Sequence, residues 1–126
     1  MTLYVLTLAA AILTWLMIIT ASMLRTRGNL AAAMGNRDAL PPASPLAERA
    51  DRAAKNMLEN LVLFGVIVLA VAGGGHSPAR ALLGAEIFVA ARIVYWPIYL
   101  AGIPGLRTAV YAVSMLGLVM IGTSLL

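Results

Sequence analysis

Arg49, Arg52, Asn56 and Glu59 follow one another at intervals of three, four and three residues. On a helix that spacing sets all four on one stripe. From Arg52 to Glu59 the stripe climbs about 10 Å at 1.5 Å per residue. Beyond Asn60 the chain reads LVLFGVIVLAVAGGG without a charge, so the stripe carries polar groups from an interface into hydrocarbon. Ionisable side chains there are expensive and face a partner or a wet cavity. Guanidinium groups that bind carboxylates, and an amide that both donates and accepts, would line a site for a polar ligand. Arg49 alone also fits a simple interfacial anchor. Asn56 and Glu59, one to two turns deeper, do not.

A second constellation is Arg92, Tyr95 and Tyr99, at i, i+3 and i+7 and again on one face. A guanidinium inside an apolar span needs a carboxylate or water. Glu59 and Glu86 are the only carboxylates within such spans, so one of them is the expected partner of Arg92, in a pair that is as readily structural as functional. Trp96 and Tyr111 fit an aromatic belt or packing. The single histidine, His76, sits in a GGGHSP turn with no ligand-spaced companion, and there is no cysteine. A metal centre, a disulfide framework and a cysteine nucleophile are therefore not expected.

The elements that must carry these residues are transmembrane helices. Of 126 residues, 62% are hydrophobic and 11% charged, too little polar surface for a water-soluble domain of this length. The apolar runs predict an all-α integral membrane protein, a single four-helix domain over residues 1–126, with helices at about 2–27, 46–72, 78–100 and 106–125. Residues 1–24 carry no charge and no basic leader, which reads as a retained span. Gly28 and Asn29 suit its break; Ser77 and Pro78 suit the cap and first turn of the third helix. Residues 101–105, Ala-Gly-Ile-Pro-Gly, separate the third and fourth helices.

Seven basic residues (Arg25, Arg27, Arg37, Arg49, Arg52, Lys55 and Arg107) flank the first and third loops, against Arg80 alone at the second. The positive-inside rule then puts loops one and three in the cytoplasm and both termini on the opposite side. The same rule accounts for the net charge of +4 without nucleic acid as a partner. Eight arginines to one lysine suggest a bacterial inner membrane.

With these residues in view, the chain resembles the MAPEG family, the membrane-associated proteins of eicosanoid and glutathione metabolism, in a small bacterial-type form. The resemblance rests on E-R-x-x-R-x-x-x-N-x-x-E, here Glu48, Arg49, Arg52, Asn56 and Glu59. It extends to Ala91-Arg92 with Tyr99, to Arg107 eight residues on, and to the basic end of the first helix at Arg25 and Arg27. It implies a homotrimer of four-helix subunits that binds glutathione as co-substrate between neighbours near the cytoplasmic face. A lipophilic small molecule would arrive from the surrounding membrane lipids. By the same resemblance Arg107 and Tyr99 are the catalytic candidates. Arg25, Arg49, Arg52, Asn56, Glu59, Tyr95 and Arg92 are the candidates for binding glutathione, and no metal is involved.

The chemistry is coherent. Basic side chains clamp the two carboxylates of glutathione, Glu59 accepts from its ammonium and Asn56 meets its peptide groups. A Cys-like thiol titrates near ~8.5 and is mostly protonated at neutral pH. A guanidinium beside it favours the thiolate, and lowering the thiol's pKa by two units takes about 2.7 kcal/mol. The reading is a glutathione-dependent transferase or peroxidase acting on lipophilic electrophiles or lipid hydroperoxides. The alternative is a non-catalytic MAPEG-like subunit serving assembly or binding within a larger membrane complex.

Overall fold

The computed structural model describes residues 1–74 and 78–126. The expected loop position of His76 and the expected cap at Ser77 lie outside the described residues. The chain forms α1 (Leu3–Arg25), a short α2 (Leu30–Met34), α3 (Pro45–Gly74), α4 (Pro78–Ala101) and α5 (Pro104–Gly122), which tightens into a 3₁₀ turn at Thr123–Leu125. The fold is all-α, and α1, α3, α4 and the α5 segment with its 3₁₀ turn are each long and apolar enough to cross a membrane. Their outward faces carry Leu8, Trp15, Val62, Val66, Leu69, Leu116 and Val119, all largely exposed in the single chain, as a bilayer requires. The chain is an integral membrane protein. Hydroxyls within the helices are satisfied locally: Thr14 Oγ1 donates to Ala10 O at 2.8 Å, Ser114 Oγ to Tyr111 O at 2.7 Å and Ser124 Oγ to Ile121 O at 2.6 Å.

Helix ends follow from local chemistry. At the end of α1 the Gly28 N–H donates to Met23 O at 2.9 Å and the Arg27 N–H to Leu24 O at 3.4 Å. This is a Schellman motif whose left-handed position falls on Arg27, at φ 54°. The break thus begins one residue before the expected Gly28. Ser44 Oγ accepts from the Ala47 N–H at 3.1 Å, ahead of Pro45 in the first turn of α3. α4 ends in a second Schellman motif, with Gly102 at φ 75° and Ile103 N–H to Ile98 O at 3.4 Å. Pro104 opens α5 at once. The break expected over residues 101–105 shrinks to Gly102 and Ile103, because glycine at C′ and proline at N1 need only one residue between them.

α1 packs chiefly on α3, and α4 on α5; α3–α4 and α1–α4 contacts join the two pairs. The α4–α5 crossing is the closest. A Cβ built on Gly84 would lie 2.7 Å from Gly117 O, and one on Gly117 would lie 2.6 Å from Gly84 O. Here two backbones touch, the packing that small residues permit between membrane helices. Phe64 of α3 stacks on Phe88 of α4 with centroids 4.5 Å apart and planes 10° apart. That stack and the glycine crossing set how α3, α4 and α5 are rotated toward one another.

Candidate functional site

Where α3, α4 and α5 meet at the basic end of the bundle, they form an open cleft of about 270 Å³ lined by Asn56, Tyr95, Tyr99, Arg107, Thr108 and Tyr111. Each helix contributes a face set by its period. α4 supplies Tyr95 and Tyr99 one turn apart; their rings meet edge-to-face at 5.4 Å. α5 supplies Arg107, Thr108 and Tyr111, with Arg107 and Tyr111 one turn apart. The Arg107 guanidinium lies over the Tyr99 ring, 4.6 Å from its centroid. The short Gly102-Ile103 connection brings the first turn of α5 back beside the last turn of α4 and so makes that contact.

Behind the cleft is Arg92, 1% exposed. Its Nη1 donates to Asn56 Oδ1 at 2.7 Å. Its guanidinium carbon sits 5.4 Å from the Phe88 centroid and 5.1 Å from those of Tyr95 and Tyr111. A cation is thus held by three rings and one amide oxygen. This corrects the expected ion pair with Glu59 or Glu86: among the described residues neither carboxylate pairs with Arg92. The reason is angular. At 100° per residue Glu59 stands about 60° around α3 from Asn56, on an outward face, and Glu86 about 120° around α4 from Arg92. Nε and Nη2 of Arg92 and Oδ1 of Asn60 are buried without a hydrogen bond to the protein, as is Nε1 of Trp96.

The α3 stripe does not act as one unit within the chain. It spans about 80° of the helix circumference, and of its four residues only Asn56 lines the cleft. Arg49 Nε donates to Leu100 O at 2.9 Å, so Arg49 caps the open carbonyls at the end of α4. Arg52 is exposed and pairs with Glu48 at 3.6 Å. Glu59 is exposed. Arg25 lies across α3 from the cleft, where its Nη1 donates to Pro41 O at 2.7 Å and it lines a different groove.

Two cleft residues escaped the sequence reading. Tyr111, assigned there to a belt or to packing, both lines the cleft and covers Arg92, and Thr108 lies beside it. The i, i+4 spacing of Arg107 and Tyr111 was the available signal. Among the described residues no three of His, Cys, Asp or Glu gather as metal ligands.

An integral membrane helix bundle with a basic and aromatic cleft at one end is the class these features define. The sequence model of the MAPEG family matches residues 2–126, and the chain belongs to that family. No curated protein and no solved structure matches it.

Proposed function

We propose that the protein is a membrane glutathione-dependent transferase or peroxidase, with the α3–α4–α5 cleft receiving glutathione. The observation that carries this reading is the Arg107 guanidinium over Tyr99 in a cleft whose lining contains no carboxylate. Arg107 supplies the charge that favours the thiolate, and the Tyr99 hydroxyl is the nearby donor. Asn56 meets the peptide. In the transferase reaction the thiolate sulfur bonds the electrophilic carbon of an apolar substrate, and the displaced electron pair leaves with the leaving group or is protonated. In the peroxidase reaction sulfur attacks the terminal oxygen of a hydroperoxide and the O–O bond breaks. The products are an alcohol and glutathione sulfenic acid, which a second glutathione thiol converts to disulfide and water.

Assembly as a homotrimer belongs to the same proposal. Glu59 and Arg52 face outward from the single chain, Arg52 paired only with Glu48 on its own helix, and ionisable groups entering a bilayer are expensive unless a partner or a wet cavity meets them. A neighbouring copy would cover them and bring Arg25, Arg52 and Glu59 toward glutathione. The non-catalytic reading draws on a different observation: Arg49 is engaged at the end of α4 and Arg92 within the bundle, as packing alone would have it. Ultraviolet difference spectra of the purified protein separate the two. Adding glutathione at neutral pH is expected to produce thiolate absorbance stoichiometric with sites; binding without that band assigns the protein to the non-catalytic reading.

A further inference from the structure

α4 carries a proline one turn before its end, Pro97. Proline has no N–H, so the Ile93 carbonyl receives no bond from position 97, and the ring crowds that oxygen. Membrane helices tolerate such a break, but residues 98–101 are tied to the rest of α4 by fewer bonds than an unbroken helix gives. The two cleft tyrosines stand on opposite sides of it. Tyr95 precedes the break, beside Arg92, which is itself held by Asn56. Tyr99 follows it, with its ring 5.4 Å from that of Tyr95 and 4.6 Å from the Arg107 guanidinium. The shape of the cleft therefore depends on what holds one turn.

That turn is held from α3. Arg49 Nε donates to Leu100 O at 2.9 Å, next in the chain to Tyr99. The half-buried Arg49 side chain also lies along the exit from α4: a Cβ built on Gly102 would stand 3.6 Å from Arg49 Cδ and Nε. Gly102 takes the left-handed conformation at φ 75°, and its N–H donates to Tyr99 O at 3.1 Å. Pro104 then opens α5, whose first turn carries Arg107. Arg49 itself is absent from the lining of the cleft.

We infer that Arg49 is a positioning residue that locks the turn of α4 beyond Pro97 and so sets Tyr99 and Arg107 against Tyr95. The Leu100 carbonyl lies in the last turn, where no helical N–H can reach it, and a donor from another helix fixes both its partner and its place. Without that donor the turn is free to move on Pro97 and Gly102, carrying Tyr99 and the start of α5 away from Tyr95. The lock is a property of the single chain. Its consequence for a bound thiol rests on the glutathione reading above.

The test is a double-mutant cycle of Arg49→Met and Pro97→Ala in the full-length protein in detergent. Methionine keeps the length of Arg49 without a donor. Position 97 is exposed, and alanine there returns the N–H that Ile93 O lacks. In ligand-free protein, Arg49→Met is expected to speed amide hydrogen exchange at residues 98–103 about ten-fold, with the part of α4 before Pro97 unchanged. The double variant is expected to return to within about three-fold of the wild type. The absorbance titration of bound glutathione is expected to follow the same cycle. Arg49→Met shifts it to higher pH, because Arg107 moves off and the thiolate loses its cation, and adding Pro97→Ala restores it. A direct contact between Arg49 and glutathione would not be restored by a change at Pro97. Unchanged exchange in Arg49→Met, or a loss in either readout that persists in the double variant, overturns the assignment. Loss of protection throughout the bundle also overturns it, since Arg49 would then hold the fold and not one turn. Exchange that follows the cycle while no protein, the wild type included, shows a thiolate band supports the lock and removes the glutathione reading instead.

Discussion

Arg92 and Arg107 show how two guanidinium groups a few turns apart come to different work. Arg107 stands at the mouth of the cleft over Tyr99, where a ligand can reach it. If it holds the thiolate, lysine is a poor replacement, because a point ammonium lacks the planar multi-donor fork. Arg107→Lys is expected to keep glutathione affinity within several-fold but cut turnover ten-fold or more, about 1.4 kcal/mol of transition-state stabilisation. Since the positive charge favours the thiolate, weakening its contact raises the pKa of bound glutathione, so the absorbance titration shifts to higher pH. Unchanged turnover and unchanged titration together reduce Arg107 to an interfacial anchor. Arg92 touches no solvent and fixes Asn56 with its Oδ1 turned inward, which leaves the amide N–H₂ to face the cleft. The desolvation cost of burying the guanidinium offsets much of what its three ring contacts and one hydrogen bond contribute, and a methionine of similar length keeps the packing against the rings. Arg92→Met is therefore expected to leave the unfolding free energy in detergent within about 1 kcal/mol of the wild type, while glutathione affinity falls at least ten-fold by calorimetry. A large loss of stability with binding intact in the folded fraction makes Arg92 purely structural.

At the level of helices, one crossing governs the cleft. Gly84 and Gly117 bring the α4 and α5 backbones into contact, and Tyr95, Tyr99, Arg107 and Tyr111 lie on those two helices beyond the contact. A methyl at Gly117 forces the backbones apart, since the obstructing atoms are Gly84 O and the Phe88 backbone rather than movable side chains. Gly117→Ala is expected to cost about 2 kcal/mol and to weaken glutathione binding with it. Gly122, whose added Cβ would meet only Ile67 Cγ2 at 3.9 Å, is the control: Gly122→Ala should change stability by less than about 0.5 kcal/mol. Thermal unfolding of the two variants side by side checks both, and equal losses would remove the crossing from its central place. The glycines also mark what a linear reading misses. Gly117 and Gly122 look equally suited to close packing in the sequence, yet only one has a backbone against it.

For the whole molecule, the proposed function turns on sidedness, because the cleft lies at the end of the bundle that carries loops one and three. The basic residues cluster there, so cysteine placed at Ser44 should resist an impermeant thiol reagent in intact cells and cysteine placed at Ala79 should react. The opposite labelling would turn the cleft away from the cytoplasm. Hydropathy and helical period were enough to mark out four apolar helices and to put Tyr95 and Tyr99 on one face with Arg92, since both signals are carried by residues within a few turns of each other. Family membership was likewise legible, in the spacing from Glu48 to Glu59 and in Arg92, Tyr99 and Arg107. Which polar atom meets which was not. Arg92 faces Asn56 rather than Glu59 or Glu86, Tyr111 enters the cleft, Arg49 caps α4 and Arg25 falls across α3. Each depends on the rotation of one helix about its axis relative to another. A turn of about 60° exchanges a facing residue for an outward one. Among α3, α4 and α5 that rotation is set by the Gly84–Gly117 contact and the Phe64–Phe88 stack, between residues 33 and 24 positions apart in the chain, a distance over which no local period carries information.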